Sequence, residues 1–435
     1  MAASSVQSRA ISDDENLHLV QRGADIDAIN GRFYGRFPYP WRPLNFLYPS
    51  NGMLASAMLS QSLGEWDHHL LPAGPAIWVA GCGTNQAVVT ALHFPLAAIT
   101  GSDLSQPSLD LCHQTVRSMG VRNVRLRNES INSADYESDF DFIVCTGVIH
   151  HNADPKATLR KLARALKPGG VMELMVYNRF HRFMNTAVQK AVRLLSGGEE
   201  PADWNQQMSL LQQMIEAVPR KCEAAEHLAC FRGQPDARVA DSLLQPVEHS
   251  YTIESLNQLA QDCDLEIVTY CVSEWDKAAD SIYWNMQWGS DEMQRRYESL
   301  PDLERWQVSN LLLFDRSPML WFYLQRKDSG RPVKSERQMA EEFLDRRFRR
   351  ARCGLRCFTL ENGGSYKLSP KPVPYAGMPA SGFYGQLLEL CDGILTMREA
   401  FERAGAEPTF LAATHARILL ATSAFPFLTS GHEHY

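Results

Sequence analysis

Apolar, strand-like runs alternate with helical patterns from Pro75 to Gly170 of this 435-residue chain. Alternation at this spacing is typical of a parallel sheet with helices on both faces. It resumes at Thr252, which can cap a further helix. We therefore predict a doubly wound α/β fold with seven strands at Ala76–Cys82, Ala97–Asp103, Asn123–Glu129, Phe140–Gly147, Val171–Tyr177, Leu265–Val272 and Pro318–Lys327.

The rest of the chain divides into insertions and two flanking segments. Helical sequence rich in Gln and Met interrupts the core at about 178–245, and a second insertion covers about 274–316. We therefore predict a core domain at 75–327, preceded by an N-terminal helical arm and lid at 1–74. A small C-terminal α+β domain follows at 328–435.

Each flanking segment has a distinctive local pattern. Pro38 and Pro40 lie in the aromatic run Arg32–Trp41 and exclude a regular helix, so this run is predicted to be an extended arm. In the C-terminal segment, Asn362-Gly-Gly predicts a hairpin turn. The basic run Arg346–Arg352 is interpreted as a solvated helix face.

Bulk composition narrows the function classes. A formal net charge of -7 gives no general attraction to phosphate backbones, so a nucleic-acid partner is not expected. No run resembles a signal peptide or is apolar enough to span a bilayer, so we expect a cytoplasmic protein without a membrane partner. The ten cysteines show no zinc spacing, and no metal site is expected. The oligomeric state stays open, a homodimer included.

Ile77–Ala87 has the pattern of an apolar strand, a glycine-rich turn and a helix start. Glycine lets the backbone approach a ligand closely, and a helix N-terminus favours an anionic group. Such a turn is weak evidence by itself, because several nucleotide-binding chemistries share it. Asp103 closes the next strand about 20 positions further on, where an acid can accept both ribose hydroxyls of an adenosyl cofactor. Its alternative role is an N-cap for the following helix.

Three more segments follow in the order that this architecture requires. Glu129 closes the third strand and can accept from an adenine amino group, the alternative being a solvated loop acid. The fourth strand continues into the loop Thr146–Asn152, which lines the crevice at the carboxyl ends of the strands. Leu166–Gly170 then makes a tight turn into the fifth strand.

Val79–Tyr177 resembles class I S-adenosylmethionine-dependent methyltransferases, on the motifs V-A-G-C-G-T-N-Q-A, S-D-L-S, T-G-V-I-H-H-N-A-D-P and L-K-P-G-G-V-M. An arm with F-P-Y-P-W and the segment Gln245–Thr252 narrow the resemblance to a subgroup that includes domains attached to tetratricopeptide repeats. The resemblance implies a Rossmann-like fold and S-adenosylmethionine as the cofactor. The residues that it implies for cofactor binding are Ala80, Gly81, Gly83, Asn85, Gln86, Asp103, Leu104, Glu129, Ser130, Thr146, Gly147 and Val148.

Two positions depart from that family's pattern. The acid usually found two positions before the first glycine is Val79 here, and the usual third glycine is Asn85. The missing acid removes one partner for the ammonium group of the cofactor. The altered turn keeps a further hypothesis open, a degenerate module that binds adenosyl ligands without turnover.

Methyl transfer from a sulfonium requires an aligned nucleophile, exclusion of water and, for a protonated nucleophile, a base. His150 and His151 are the leading candidates for a base or an orienting residue, because imidazole titrates near working pH. The alternative for either is a hydrogen bond that holds the loop. Glu248 and His249 are further catalytic candidates, and their alternative is a helix-start acid with a packing histidine.

Aromatic side chains are the predicted substrate contacts. A mobile lid that attracts a cation, or an arm that is docked permanently, can be formed by Tyr34, Phe37, Tyr39 and Trp41. Tyr177 lies at the end of the fifth strand. Trp284 either contacts an aromatic substrate or belongs to the core of the second insertion, together with Trp275, Tyr283 and Trp288.

The sequence thus predicts methyl transfer to O, N or C of a small metabolite or short peptide. Gly385–Ala400 faintly resembles helical modules that hold precursor peptides or carrier proteins, which favours specialised, natural-product metabolism. The alternative enzyme methylates a side chain of a folded protein that docks on the C-terminal domain.

Overall fold

The computed structural model describes residues 25–197, 203–218, 221–272, 277, 282, 284–351, 353–371, 382–422 and 428–430. Its strands are β1 (Asn45–Pro49), β2 (Ala76–Ala80), β3 (Ala98–Asp103), β4 (Val124–Asn128), β5 (Phe140–Thr146), β6 (Leu166–Val176), β7 (Leu265–Tyr270), β8 (Leu320–Arg326), β9 (Arg347–Arg350), β10 (Leu355–Leu360), β11 (Tyr366–Leu368), β12 (Asp392–Thr396) and β13 (Leu428–Ser430).

The helices of the same residues are α1 (Ile26–Arg36), α2 (Leu54–Ser62), α3 (Gln86–His93), α4 (Gln106–Met119), α5 (Pro155–Ala165), α6 (Arg179–Leu195), α7 (Trp204–Ala217), α8 (Ala224–Ala229), α9 (Asp236–Leu243), α10 (Ile253–Gln261), α11 (Asp291–Glu298), α12 (Asp302–Leu312), α13 (Glu336–Asp345), α14 (Gly382–Leu390), α15 (Met397–Arg403) and α16 (Phe410–Ala421). None of them is long and apolar enough to cross a bilayer.

The predicted seven-stranded sheet is confirmed, with strand order β4-β3-β2-β5-β6-β8-β7. β2 pairs in parallel with β3 and with β5, and β5 pairs in parallel with β6. β8 is antiparallel to both of its neighbours, so the expectation of an all-parallel sheet is wrong for this strand. Hydrophobic periodicity predicts that a strand exists and does not specify its direction, because alternation is the same in both directions.

Alternate residues of the central strands pack on opposite faces of the sheet. In β2, Trp78 belongs to one buried cluster while Ile77 and Val79 belong to the other. The clusters cover both faces, as a doubly wound sheet requires. Both faces being buried explains why these strands are nearly continuous apolar runs.

Side-chain caps fix the starts of the crossover helices. Ser105 accepts the Ser108 N–H at the start of α4, and Asp154 accepts the Ala157 N–H at the start of α5. Thr252 and Ser255 form a capping box at α10, as the sequence predicts for Thr252. Because Ser105 is the cap of α4, the alternative role of Asp103 as that cap is wrong.

The N-terminal arm begins as α1, so the prediction of an extended run is wrong for Arg32–Arg36, and after this helix the arm joins the C-terminal segment in a second sheet. β1 pairs antiparallel with β10, and β10 pairs with β11 across the predicted Asn362-Gly-Gly hairpin. Phe46 and Phe358 from this sheet pack in the same cluster as the core strands. The domain boundary at 328 stays a prediction, and residues on both sides of it share this core.

The basic run is a strand rather than the helix face interpreted from its charge. Arg347–Arg350 forms β9, which pairs with β12 and β13 in a third sheet. Phe348 is buried against α13, α15 and α16, and the arginines flank it. Arg352, Trp275 and Tyr283 lie outside the described residues.

Candidate functional site

The glycine turn after β2 and the carboxylate that ends β3 are adjacent. The N–H of Gly83 donates to Asp103 Oδ2 at 2.8 Å, and the N–H of Ser105 donates to Asp103 Oδ1 at 2.8 Å. The N–H groups of Gly81 and Cys82 donate to the carbonyl of Ser102 at 2.8 and 2.9 Å. Burial raises the pKa of the Asp103 carboxyl, and the backbone N–H donors oppose that rise.

The turn is closely packed on both sides. Gly81 and Gly83 have φ of +73° and +53°, which disfavours any residue with a Cβ. A Cβ added at Gly81 would lie 2.5 Å from Val148 Cγ2, and one added at Gly83 would lie 2.7 Å from the carbonyl oxygen of Tyr39. The loop after β5 and the arm therefore meet the glycine backbone directly. Thr84 Oγ1 also donates to the carbonyl of Pro40, so the arm lies over the turn.

The other residues implied for cofactor binding border the same edge of the sheet. Asn85 is the N-cap of α3 without a side-chain cap bond, and Gln86 begins that helix. Gly147 has φ of +78°, and its N–H donates to Met175 at 3.1 Å. Ala80 and Thr146 end β2 and β5, while Leu104 and Val148 follow β3 and β5.

The acids and hydroxyls after β4 have protein partners. Glu129 Oε2 accepts from Tyr136 Oη at 2.7 Å, and Ser130 Oγ donates to Asp27 of α1. Ser130 thus connects the adenine side of the predicted site to the arm helix. The assignment of Glu129 to an adenine amino group stays a prediction.

His150 and His151 form a buried 3-10 turn behind the crevice. His150 is 0% exposed, and neither of its ring nitrogens has a hydrogen-bond partner. His151 Nδ1 lies 2.8 Å from the carbonyl of Val247. Burial, followed by the charges of His151 and Arg182, holds the pKa of His150 well below its usual value, and burial lowers the pKa of His151 to about 4. Both imidazoles are therefore neutral near pH 7.

Glu248 and His249 have structural partners instead of open positions. Arg182 Nε donates to Glu248 Oε1 at 2.6 Å, and Gln189 Nε2 donates to Glu248 Oε2 at 3.0 Å. His249 N–H donates to the carbonyl of His150 at 2.8 Å, and His249 Nε2 lies 3.1 Å from the carbonyl of Asn152. These contacts hold the histidine loop and the buried Arg182 in place, which favours the structural alternative, and the catalytic role of Glu248 and His249 stays a prediction.

Two of the predicted substrate contacts, Tyr177 and Tyr34, meet the histidines. The ring of Tyr177 stacks on His150 with centroids 3.8 Å apart, and the Arg182 guanidinium lies 4.1 Å from the centroid of Tyr177. Tyr34 lies edge-on to His151 at 6.5 Å. Burial raises the pKa of Tyr39 on the arm to about 12, and the charge of Asp241 acts in the same direction.

Trp41 and Trp284 lie elsewhere. Trp41 is 48% exposed and packs edge-on against Tyr39 at 6.2 Å. Trp284 is 0% exposed and packs on Phe322 of β8 and on Tyr270. The indole of Trp284 belongs to the hydrophobic core, which favours the alternative that the sequence left open, the core of the second insertion.

Sequence reasoning missed three polar residues of the first insertion. Arg182 on α6, Asp241 on α9 and Gln245 complete the cluster around Tyr34 and Tyr177. No motif marks Arg182 or Asp241, Gln245 only begins the segment Gln245–Thr252 used for the resemblance, and all three are distant in sequence from the glycine turn. Only the packing of the insertion against α1 brings them to the site.

Residues 78–172 match the family model described as a methyltransferase domain. The chain carries a class I S-adenosylmethionine-dependent methyltransferase domain. The cofactor of this domain is S-adenosylmethionine. The match covers the glycine turn, Asp103 and both histidines, which are the residues brought together at the carboxyl edge of the sheet.

The relatives differ in how much of this chain, and of their own length, the similarity covers. Uncharacterized protein syc1184_c of Synechococcus sp. is 27% identical over 70% of this chain and 76% of its own. The ubiquinone biosynthesis O-methyltransferase of Albidiferax ferrireducens is 27% identical over 30% of this chain and 53% of its own, so only about half of that relative is spanned. PKMT2 from Rickettsia typhi, solved in complex with AdoHcy, has a similar fold with a TM-score of 0.54 at 15% identity, over 84% of this chain and 71% of its own.

The residues of the site fit the cofactor. Glycine at positions 81 and 83 leaves backbone where a side chain would collide, and Asp103 borders that backbone. His150 keeps two buried polar atoms without a partner close to the loop that contacts Gly81. Across the described residues, no group of three His, Cys, Asp or Glu side chains is placed to hold a metal ion.

Proposed function

We propose that the chain transfers a methyl group to O, N or C of a small metabolite or short peptide, in specialised metabolism. The observation that carries the acceptor assignment is the buried cluster of His150, Tyr177 and Tyr34 behind the glycine turn. A buried polar atom without a partner is costly, so His150 suits a position where a bound molecule supplies the hydrogen bond.

The side chains have separate roles in this proposal. Asp103 accepts the ribose hydroxyls and Glu129 the adenine amino group, while the backbone of Gly81 and Gly83 allows the amino-acid end to approach. When bound, S-adenosylmethionine supplies an activated methyl group. The chain itself must align the acceptor and exclude water.

His150 orients the acceptor by a hydrogen bond and is not a strong base. A general base works best with a pKa near the operating pH, and the lowered pKa of His150 is far from that condition. Its close, tilted contact with Tyr177, with 31° between the ring planes, restricts the imidazole, so the direction of its ring nitrogens is set before an acceptor binds.

Two measurements test the proposal. Calorimetry with S-adenosylhomocysteine should show binding to the full chain, and incubation with candidate acceptors should give a mass shift of one methyl group. Failure to bind S-adenosylhomocysteine would contradict the proposed function, whereas binding without transfer to any candidate would favour a module without turnover. A tRNA substrate should be included, because two relatives of this domain are named as a tRNA U34 carboxymethyltransferase and a tRNA 5-carboxymethoxyuridine methyltransferase.

A cleft beside the C-terminal segment favours a second candidate, methylation of a folded protein. The cleft, about 990 Å³ in volume, lies between residues 282–316 and helices α14 and α16. Trp288 and Thr414 line it, and Trp288 Nε1 and Thr414 Oγ1 have no hydrogen-bond partner. Such groups can bind a peptide backbone.

Substitution at the cleft separates the two candidates in the full-length chain. Trp288→Ala should abolish methylation of a protein substrate that docks there and leave transfer to a free small molecule unchanged. Exposed Met293→Ala on the adjacent α11 is the matched control. Equal transfer by Trp288→Ala and Met293→Ala on a protein substrate would contradict docking at this cleft.

A further inference from the structure

Asp241 is a buried carboxylate with one unused oxygen. It is 8% exposed on α9, and its Oδ1 accepts from Tyr34 Oη at 3.1 Å and from Gln245 Nε2 at 3.0 Å. Within the described part of the chain, Oδ2 has no hydrogen-bond partner. The carboxylate is therefore positioned by two donors and keeps one oxygen for a further contact.

The charges around Asp241 do not neutralise it. Arg182 is engaged by Glu248 in a buried ion pair. Arg238 lies on the exposed surface of α9 and bonds Gln234 Oε1 at 2.9 Å. Among the described residues no cation lies within 4.0 Å of Asp241. Burial raises the pKa of Asp241 to about 6, although the charge of Arg182 acts against that rise. Such a shift is expected for a buried carboxylate that lacks a counter-ion.

Tyr39 connects this carboxylate to the glycine turn. The backbone carbonyl of Tyr39 lies against Gly83, and its phenol is close enough to Asp241 for that charge to contribute to its raised pKa. The charge of Asp241 acts in the same direction on Tyr177. Asp241 also accepts a hydrogen bond from Tyr34, whose ring lies edge-on to His151 at 6.5 Å, so the carboxylate borders the histidine loop.

The turn itself offers no free acid. Residues 76–87 contain no Asp or Glu, and both oxygens of the nearby Asp103 accept backbone N–H groups. A positively charged group that enters the site from the turn can therefore pair with the unused carboxylate oxygen of Asp241. Tyrosine rings add attraction for a cation in a site shielded from water.

We propose that Asp241 binds an ammonium group inside the methyltransferase site, between the rings of Tyr34, Tyr39 and Tyr177. The inference rests on the proposed function, because it places this group beside the transferred methyl. Two sources have the required chemistry, the amino group of the cofactor and an amine of the acceptor. Asp241→Asn keeps the shape of the side chain and an oxygen that can accept from Tyr34 and Gln245, and it removes the negative charge.

The first experiment compares two adenosyl thioethers by calorimetry on the full chain. S-adenosylhomocysteine carries the ammonium group and 5′-methylthioadenosine lacks it. If the cofactor is the source, Asp241→Asn lowers the affinity for S-adenosylhomocysteine by about tenfold or more and leaves the affinity for 5′-methylthioadenosine unchanged. Exposed Asp236→Asn on the same helix is the control and should change neither.

The second experiment tests the acceptor as the source, with S-adenosylhomocysteine bound. Phenethylamine and 2-phenylethanol differ only in the amine, and ligand-detected NMR measures their binding. The amine should bind at least tenfold more tightly to the wild type, and Asp241→Asn should remove that preference.

The outcomes separate the two proposals. Unchanged affinity of Asp241→Asn for S-adenosylhomocysteine, together with no amine preference in the wild type, would overturn the role of Asp241. An equal loss for both thioethers would overturn it as well, because the charge would then act on the adenosyl part or on folding. Failure of the wild type to bind either thioether would instead contradict the proposed function.

Discussion

The imidazole of His150 lies 3.8 Å from the ring of Tyr177, centroid to centroid, and both of its nitrogens are buried without a partner. We expect His150→Phe to keep this ring contact and to remove the two polar atoms. Turnover should fall about tenfold or more, because one positioned hydrogen bond is lost. The affinity for S-adenosylhomocysteine should not change. The free energy of unfolding should stay the same or rise. Unchanged kcat on an acceptor that the wild type methylates would refute the orienting role.

Asp103→Ala tests the ribose assignment. Loss of a charge-assisted bidentate contact should weaken S-adenosylhomocysteine by about 1–3 kcal/mol in calorimetry. The variant Asp110→Ala, on the exposed face of α4, is the control and should bind normally. Equal affinities of the two variants would remove Asp103 from the cofactor site.

Gly83→Ala tests the contact between the arm and the turn. An added Cβ would lie 2.7 Å from the Tyr39 carbonyl, so the arm must move and cofactor affinity should fall. Gly120→Ala is the matched control, because Gly120 also has positive φ, +68°, but no atom within 4 Å of an added Cβ. Both variants share the backbone strain of about 1 kcal/mol, and only Gly83→Ala should weaken S-adenosylhomocysteine. Equal affinity of both variants for S-adenosylhomocysteine would contradict this prediction, because the arm would then move without any loss of binding.

The buried His151 predicts a pH effect on stability. Its folded pKa is about 4, below the usual value of about 6.5, so between these values the unfolded state binds a proton that the folded state does not. Stability from this residue is therefore lost as pH falls through that window. Between about pH 7.5 and about pH 5 the wild type should lose about 2 kcal/mol more than His151→Gln in urea unfolding.

Comparing the pH dependence of the unfolding free energy between the wild type and His151→Gln separates the effect of His151 from that of acids that titrate in the same range. Burial raises the pKa of Glu173 to about 7 and that of Asp241 to about 6, and these groups act in the opposite direction in both proteins. His113→Gln, at an exposed position, should keep the pH dependence of the wild type. Parallel curves for the wild type and His151→Gln would contradict the prediction.

Glu336 joins the C-terminal segment to the core. It is buried and accepts from Arg305 Nη2 at 2.6 Å, from Asn285 Nδ2 at 2.9 Å and from Tyr270 Oη. Glu336→Ala leaves Arg305 with one acid and should cost about 3–5 kcal/mol of unfolding free energy. Glu292→Ala, in an exposed pair with Arg296, should cost less than about 0.5 kcal/mol. Similar values for the two variants would refute a structural role of this network.

The sequence by itself determined the seven strands, the capped helices, the glycine turn and the position of Asp103. These features depend on local periodicity, on caps and on glycine at positive φ, which neighbouring residues specify. The hairpin at Asn362-Gly-Gly is predictable for the same reason. Local patterns also placed both histidines in the loop that follows β5.

Only the tertiary structure decided which side chains surround that loop. Arg182 and Asp241 come from an insertion without a motif, and they reach the site because α1 packs its apolar face on that insertion. The same packing buries Glu248 against Arg182, while Trp284 is buried in the core, and neither environment could be predicted from the sequence. Charge alone misassigned Arg347–Arg350, since strand pairing with β12 and β13 depends on residues about 45 and 80 positions away. Long-range burial decides such cases, and no local pattern encodes it.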